Sequence, residues 1–484
     1  MSLTSALSTA QSILSNTSTQ TSIISKNISN ASNENYARRS ANVVSNGWGA
    51  DIVSISRATD SVLFRENLAN MAAASGQNAL VEGIDRIRNL LGGNDYDRSP
   101  SALLGKFRDS LNIFAAQPGD ASSAQGAIAD ATILADRIRG SSQELQQIRL
   151  QTDSEISLQV GNLNKLLAEF EIANNDVKKA TRTGTNGSDA LDERGRLVGE
   201  ISKIIGVTMV TREGNDVALY TANGTALFET VPRAVTFTPK TAFDASTVGN
   251  DILIDGVPLG VGAGGSTTAD GSLAALLQVR DDVAPAFQAQ LDEIARGLVT
   301  AFSESDSTGV GPDLPGLFTW GGGTVPANGT IEPGIALTLA VNPAFTGSAV
   351  NARLLRDGGA NGANYVVNTA GGAGFSSLLD DYLTALEQPM DFDPAAGIGD
   401  RTGIMAYAAD SAGWLETLRQ QADRAAEAKN ASYYRSTQAL SNSTGVNLDE
   451  EMARLIELEQ SYKASSKLIA TVDEMIDTLL AAFR

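Results

Sequence analysis

Leu448, Leu455, Tyr462, Ile469, Ile476 and Phe483 fall seven residues apart along the end of the chain. Residues at that spacing return to one face of a helix. A face kept apolar over so many repeats is a seam for another helix rather than a patch on a globular surface. Leu458, Val472 and Leu479 supply a second row, with Glu451 and Ser465 as its gaps. The start of the chain carries a counterpart, with Leu7, Leu14, Thr21 and Ile28 on one row and Leu3, Ala10, Thr17, Ile24 and Ala31 on the next. Ser, Thr, Asn and Gln stand there where Lys and Glu ordinarily solvate a helix, and the first charged side chain is Lys26. Such a helix suits close packing on several sides. The two terminal heptad helices are expected to pair as one coiled coil, with everything between them inserted. Their seams bury little until neighbours arrive.

The insertion changes period several times. Asp51-Ile52-Val53-Ser54-Ile55 alternates after a turn at Asn46-Gly47-Trp48-Gly49, which predicts a hairpin near 43–57. Helices follow. Leu80, Ile84, Ile87 and Leu91 end one at Gly92-Gly93; Ser99-Pro100 caps the next, which carries Leu103, Phe107, Leu111 and Phe114 and stops before Pro118. From about Asp120 to Thr181, Ile156, Leu163, Phe170 and Val177 form another heptad row. Near Gly206 the pattern alternates with turns at Glu213-Gly214-Asn215 and Ala222-Asn223-Gly224, so a β segment is expected. Helix returns near Leu273, with Pro285 as its kink. A Gly-, Pro- and Asn-rich stretch then holds strand candidates at Ile335 to Val341 and Tyr365 to Asn368. The fold class expected is mainly α with β-rich insertions, in several domains, because 484 residues exceed what one core ordinarily organises. The terminal coiled-coil domain takes 1–40 and 447–484. A helical rod domain takes 41–205, 272–304 and 400–446, the β segment 206–271, and a β-rich outer insertion 305–399.

Asp and Glu number 56 against 36 Lys and Arg, a formal charge of −20 that repels nucleic acid and anionic membranes. No Cys and no His are present, which removes disulfides, thiol nucleophiles, imidazole bases and most zinc or copper sites. The first thirty residues have neither a basic start nor a continuous apolar core, so no cleavable signal peptide is read there, and no apolar run reaches membrane-spanning length. Gly260, Gly262 and Gly265 form a GxGxxG without the βαβ unit a phosphate site needs, and read as a flexible loop. Asp95 and Asp97 resemble part of a calcium loop that lacks its closing Glu. Asp449-Glu450-Glu451 read as first-turn acids matched to a helix dipole, and Leu191-Asp192-Glu193-Arg194-Gly195-Arg196 as a solvated face or a domain contact. No nucleophile, base and orienter assemble, so no catalytic, metal or cofactor residues are assigned.

Asn27-Ile28-Ser29-Asn30-Ala31 followed by Asn33-Glu34-Asn35-Tyr36-Ala37-Arg38 resembles the signature of rod, hook and hook-associated proteins of the bacterial flagellum. Asn35 stands where that signature has glycine; asparagine tolerates a left-handed backbone next best, which lets the turn survive. The stretches GADIVSISRATDSVLFREN, DALDERGRLVGEISKIIGVTMV and DGSLAALLQVRDDVAPAFQAQLDEIA, in that order, with STGVNLDEEMARLIELEQSYKASSKLIATVDEMIDTLL at the end, are similar to the FlgK-type hook-associated family. The resemblance lapses between about Thr319 and Gly397, which is taken as a variable, outward-facing part dispensable for the joint. It implies a non-catalytic, multidomain axial protein with a helical inner domain and an outer β domain, joining hook to filament. Assembly would run through Leu3, Leu7, Leu14, Ile24, Asn27, Ile28, Asn30, Tyr36 and Arg38 at one end. At the other it would use Leu448, Leu455, Leu458, Tyr462, Ile469, Val472, Ile476, Leu479 and Phe483. Implied partners are copies of itself, the hook protein, a second junction protein and a cytoplasmic export chaperone on the C-terminal helix, with type III export to an extracellular flagellum. Another axial subunit, hook protein or flagellin, is the alternative; a peptidoglycan hydrolase with paired carboxylates is a further one.

Overall fold

The structure, a computed structural model, describes residues 3–46, 49–265, 270–346 and 349–482. The chain is mainly helical with small sheets. Helix α1 (Leu3–Ser29) leads to an antiparallel hairpin of β1 (Arg39–Asn46) and β2 (Gly49–Arg57), in which Arg39 lies opposite Arg57. The hairpin begins earlier than its apolar alternation suggested. Its first rungs are polar, with Ser40 Oγ 2.9 Å from Ser56 Oγ and Asn42 donating to Ser54 Oγ at 2.9 Å. Gly47 and Trp48 of the expected turn lie outside the described residues.

Asp60 caps α2 (Ser61–Asn89) through the Val62 and Leu63 N–H groups, and Ser99 with Pro100 starts α3 (Pro100–Ala116). Asp120 caps α4 (Ala121–Thr183), which ends at left-handed Gly184; α5 (Ser188–Ile204) returns along it. The β segment follows as β3 (Val207–Thr211), β4 (Val217–Thr221) and β5 (Ala226–Phe228), then β6 (Val235–Thr236), β7 (Leu253–Ile254) and β8 (Val257–Pro258). Helix α6 (Ser272–Gln278) passes through a π-helical turn at Val279–Val283 into α7 (Ala284–Ala301). Pro285 cannot donate to the Asp281 carbonyl, and the wider turn just before it absorbs the lost bond.

The expectation of a β-rich insertion at 305–399 is corrected. Its strands are two residues long: β10 (Leu314–Pro315), paired with β9 (Ser303–Glu304), then β11 (Phe318–Thr319), β12 (Ala340–Val341) and β13 (Met390–Asp391). The Ile335 to Val341 candidate opens as helix α8 (Ile335–Thr338), and Tyr365 closes a 3-10 turn. Short helices α9 (Ala349–Ala352), α10 (Leu354–Asp357) and α11 (Ser377–Glu387) supply the rest, before β14 (Arg401–Thr402) pairs with β13. Glycine and proline cut the apolar runs too short to sustain a strand ladder. Nor does the segment face outward as a separate unit. Phe318, Ile335, Leu339, Phe345, Leu355, Leu379, Tyr382 and Phe392 are buried in one core with Phe107, Phe302 and Tyr407.

Long helix α12 (Ile404–Thr444) packs on α2, and Asn447 caps α13 (Leu448–Ala481). Two apolar cores fill the body, one around α2, α3, α4, α7 and the insertion, the other between α4, α5, α6 and β3–β7. Between them lies a buried polar layer in which Arg280 pairs with Asp153, while Arg149 donates to the Asp244 and Thr247 carbonyls. Both arginines sit on phenylalanine rings, Phe237 and Phe243, which hold the connection from β6 to β7 across the layer.

Candidate assembly interface

Helices α1 and α13 lie against each other, with the end of α1 beside the start of α13, so they run antiparallel. On α1, Ala10, Thr17, Ile23, Ile24 and Asn27 are buried, while Leu7, Leu14 and Ile28 are half-buried. On α13 the deepest residues are Glu451, Ser465 and Val472; Leu455, Leu458 and Ile469 are half-buried beside them. The two positions read as gaps in the second heptad row are thus among the most buried of the helix. Ser465 is small and Glu451 is hydrogen-bonded by Asn27, which lets both be buried, and the larger apolar residues flank them. Leu448, Tyr462, Ile476 and Leu479 face outward with Met452, Ile456, Leu468, Met475 and Leu480. Phe483 and the Leu3 side chain lie outside the described residues.

Where the helices meet the hairpin, Asn27 is fully buried and uses its whole amide. Nδ2 donates to the Arg39 carbonyl at 2.9 Å and to Glu451 Oε2 at 3.0 Å; Oδ1 accepts from Tyr36 Oη at 2.8 Å and from the Arg39 N–H at 3.1 Å. One side chain therefore ties α1, the turn, β1 and α13. Burial pushes the Tyr36 phenol up, with Arg39 opposing, so Tyr36 remains a donor. Asn30 closes the end of α1 by donating to the Lys26 carbonyl, and Arg38 pairs with Glu450 at 3.2 Å. The left-handed backbone expected at Asn35 is absent. Among described non-glycine residues, positive φ occurs at Tyr96, Asn215 and Asp255. Asn33 closes the turn instead, its Oδ1 accepting the Asn35 N–H at 3.1 Å and its carbonyl the Tyr36 N–H at 3.0 Å.

Arg39 points to the helical body. Its Nη2 is 2.7 Å from both Asp189 and Asp192 of α5, and its guanidinium stacks on Tyr36 at 4.7 Å. Burial pulls the Arg39 pKa down, but its bonds to Asp192 and Asp189 outweigh that and hold it above the ordinary value. Asp192 also accepts from Arg57 Nε at 2.7 Å. The mixed run around Asp192 therefore divides by face. Arg194 turns inward to the Asn174 side chain and the Asn215 carbonyl, where burial lowers its pKa to about 10, while Glu193 and Arg196 pair in solvent. Beside the junction opens a polar cleft of about 370 Å³ lined by Lys26, Asn33, Asn35, Asp189, Glu193 and Arg196.

Sequence reasoning assigned Asn27, Asn30, Tyr36 and Arg38 to an assembly surface and Asp192 to a solvated face or a domain contact; the structure brings Asn27, Tyr36, Arg38 and Asp192 to this junction, together with Arg39, Arg57 and Glu451, which were not singled out for it. Glu451 carried a signal: an acid interrupting an apolar heptad row is either a register error or a buried partner. Read as a dipole-matching acid, it belongs instead with Asn27; of the three acids in that turn, Asp449 and Glu450 face solvent.

Two family models match the chain. The flagellar hook-associated protein FlgK helical domain covers residues 84–317, and the flagellar basal body rod FlgEFG protein C-terminal model covers 437–482. Flagellar hook-associated protein 1 of Salmonella typhimurium is 23% identical, over 94% of this chain and 96% of the relative. Its counterpart in Bacillus subtilis is 20% identical over 98% and 97%. The structure of the flagellar hook junction protein FlgK from Burkholderia pseudomallei shares the fold, with a TM-score of 0.53 at 13% identity, over 78% of this chain and 99% of that one.

Proposed function

Because the chain belongs to the FlgK family of flagellar hook-associated proteins, structural components of the bacterial flagellum and not enzymes, we propose that it joins hook to filament through its terminal helix pair. Membership removes the hydrolase reading. The observation that carries the proposal is that large apolar side chains of α13 stay uncovered in the single chain: Ile476 and Leu479 continue the heptad rows that meet α1 beyond Val472, the last buried position, and Met452, Ile456, Leu468, Met475 and Leu480 flank those rows. A contiguous set of exposed apolar side chains of this size marks a contact surface. On this reading residues 1–40 and 447–484 form the joining domain, and copies of the chain, the hook protein and a second junction protein cover the outer row. An export chaperone covers it before assembly, and the chain leaves by the flagellar type III route.

The faces separate the tests. Ile469 is half-buried within the chain, so Ile469→Asp probes the internal pair rather than the joint. Leu479 is 51% exposed, so Leu479→Asp should leave the free chain as stable as before yet prevent its neighbours from seating, since an unpaired carboxylate in a dry contact costs several kcal/mol. Lys467, on the far side of α13, is the control as Lys467→Asp. In a strain lacking the native gene, with secreted subunit measured alongside, Leu479→Asp should abolish filaments and Lys467→Asp should retain them. Equal filament numbers from two equally secreted variants would refute the proposal.

A further inference from the structure

Neither apolar core contains a residue before Phe64 or after Ala422, so the terminal unit of α1, β1, β2 and α13 shares no core with the helical body. The chain crosses between them at 58–60 and at 445–447. Among the described residues, the polar links across the joint are few. Arg39 meets Asp189 and Asp192, Arg57 and the Ala37 N–H reach Asp192, and the Arg38 N–H donates to the Thr444 carbonyl at 2.8 Å. Asp189 is largely exposed, whereas the Asp192 side chain keeps 13% of its surface and Arg39 only 4%.

Arg39 and Arg57 face each other directly across the root of a two-stranded sheet, a placement in which like charges repel. Asp192 answers both, with Oδ2 on Arg39 and Oδ1 on Arg57, each at 2.7 Å. Two charge-assisted bonds from one planar carboxylate fix direction as well as distance. We infer that Asp192 is a positioning residue, setting the angle at which the terminal unit leaves the helical body. Without it the joint retains two chain crossings, one backbone bond and the exposed Arg39–Asp189 pair as pivots, while Arg57 loses its carboxylate beside Arg39 at the root. The inference rests on the proposed role of the terminal unit in assembly, and it adds how that unit is aimed.

The chain has no cysteine, so spin labels at two introduced ones report on the full-length protein without background. Val53→Cys on the exposed side of β2 and Ala168→Cys on the exposed side of α4 span the joint. The parent should give one narrow distance peak. Asp192→Ala should lose it, with thermal midpoint and hydrogen exchange in α1 and α13 unchanged, and Asp192→Glu, which keeps a carboxylate between the arginines, should retain it. A narrow peak surviving in Asp192→Ala would overturn the inference. So would loss of protection in α1 and α13, because Asp192 would then hold the unit folded rather than aim it. Normal filaments from Leu479→Asp would instead defeat the assembly reading, whatever the distances show.

Discussion

Asn27 satisfies four partners with one amide, so its removal is felt by each of them. Asn27→Ala leaves the Tyr36 hydroxyl and the Arg39 N–H without a partner in a buried site, at about 1–3 kcal/mol apiece, and leaves the Glu451 carboxylate with only its 3.8 Å pairing to Arg454. Hydrogen exchange at Arg39 and along the first turns of α13 should accelerate in that variant, while the amides of α4 stay protected; unchanged exchange at Arg39 would show that the knot carries no load. Asp292 offers a test by pH. It accepts from the Gly334 and Ala336 N–H groups and from Gln288, yet burial outweighs these bonds and raises its pKa to about 6. A carboxyl whose folded pKa exceeds its unfolded one contributes stability below the unfolded value, about 4, and that contribution is lost as pH rises through about 6. Asp292→Asn removes the titration. The variant should therefore gain on the parent by about 2 kcal/mol between pH 4 and pH 7, read from urea midpoints, and a constant difference across that range would contradict the assignment. Such residues were only half legible in the sequence. Asn27 and Tyr36 announced themselves through a motif, but Asp192 looked like any charge in a helical run. Its role depends on two arginines more than a hundred residues away that strand pairing brings together.

For elements, the junction is also where the terminal helices are best anchored. Burial on α1 is dense from Ile23 to Asn27 and thins toward its start, and beyond Val472 every described residue of α13 is exposed. Protection against hydrogen exchange in the isolated chain should fall in the same direction, strongest beside Asn27 and Glu451 and weakest toward residues 5 and 480, because few apolar contacts oppose fraying there. Uniform protection along α13 would mean that the single chain already supplies all the packing this helix needs. Most helices were legible because their signals are local. Ser99-Pro100 caps α3 where the sequence places a cap, and the heptad row from Ile156 to Val177 lies within the single helix α4. The stretch from 305 to 399 was not. Its apolar residues form no periodic run, since each reaches the core from its own short turn, and that pattern resembles neither strand nor helix until the body is present to receive it.

At the scale of the molecule, the same stretch decides whether the body folds. Replacing 319–397 with a short Gly/Ser linker was attractive while the segment looked like an outward domain. In the fold it covers the body instead. Tyr382 packs on Phe302 with ring centroids 4.7 Å apart, and Phe392 stacks on Tyr407 at 3.8 Å. Ile335, Leu339, Phe345, Leu355, Leu379 and Leu386 line the same core. Uncovering Phe302 and Tyr407, with the side chains around them, exposes surface worth about 2 kcal/mol per residue, so a few such losses match the 5–15 kcal/mol by which a folded protein is typically stable. Charges are stranded as well. The fully buried Glu293–Arg296 pair would lose the Asp393 N–H and the Asp391 carbonyl, and Asp292 would lose both backbone donors from the start of α8. A buried charge left with unmet bonds costs more than the pair contributes when complete. The shortened chain should therefore lose the cooperative thermal transition of the parent, followed by circular dichroism at 222 nm, and should bind a hydrophobic dye that the parent does not. Substituting only Thr369 and Gly374, both exposed on the outer turns of the segment, by alanine should leave the transition in place. A linker variant that melts cooperatively at the parent's midpoint would mean that α7 and α12 close the core without help, and that the segment is a passenger on the body.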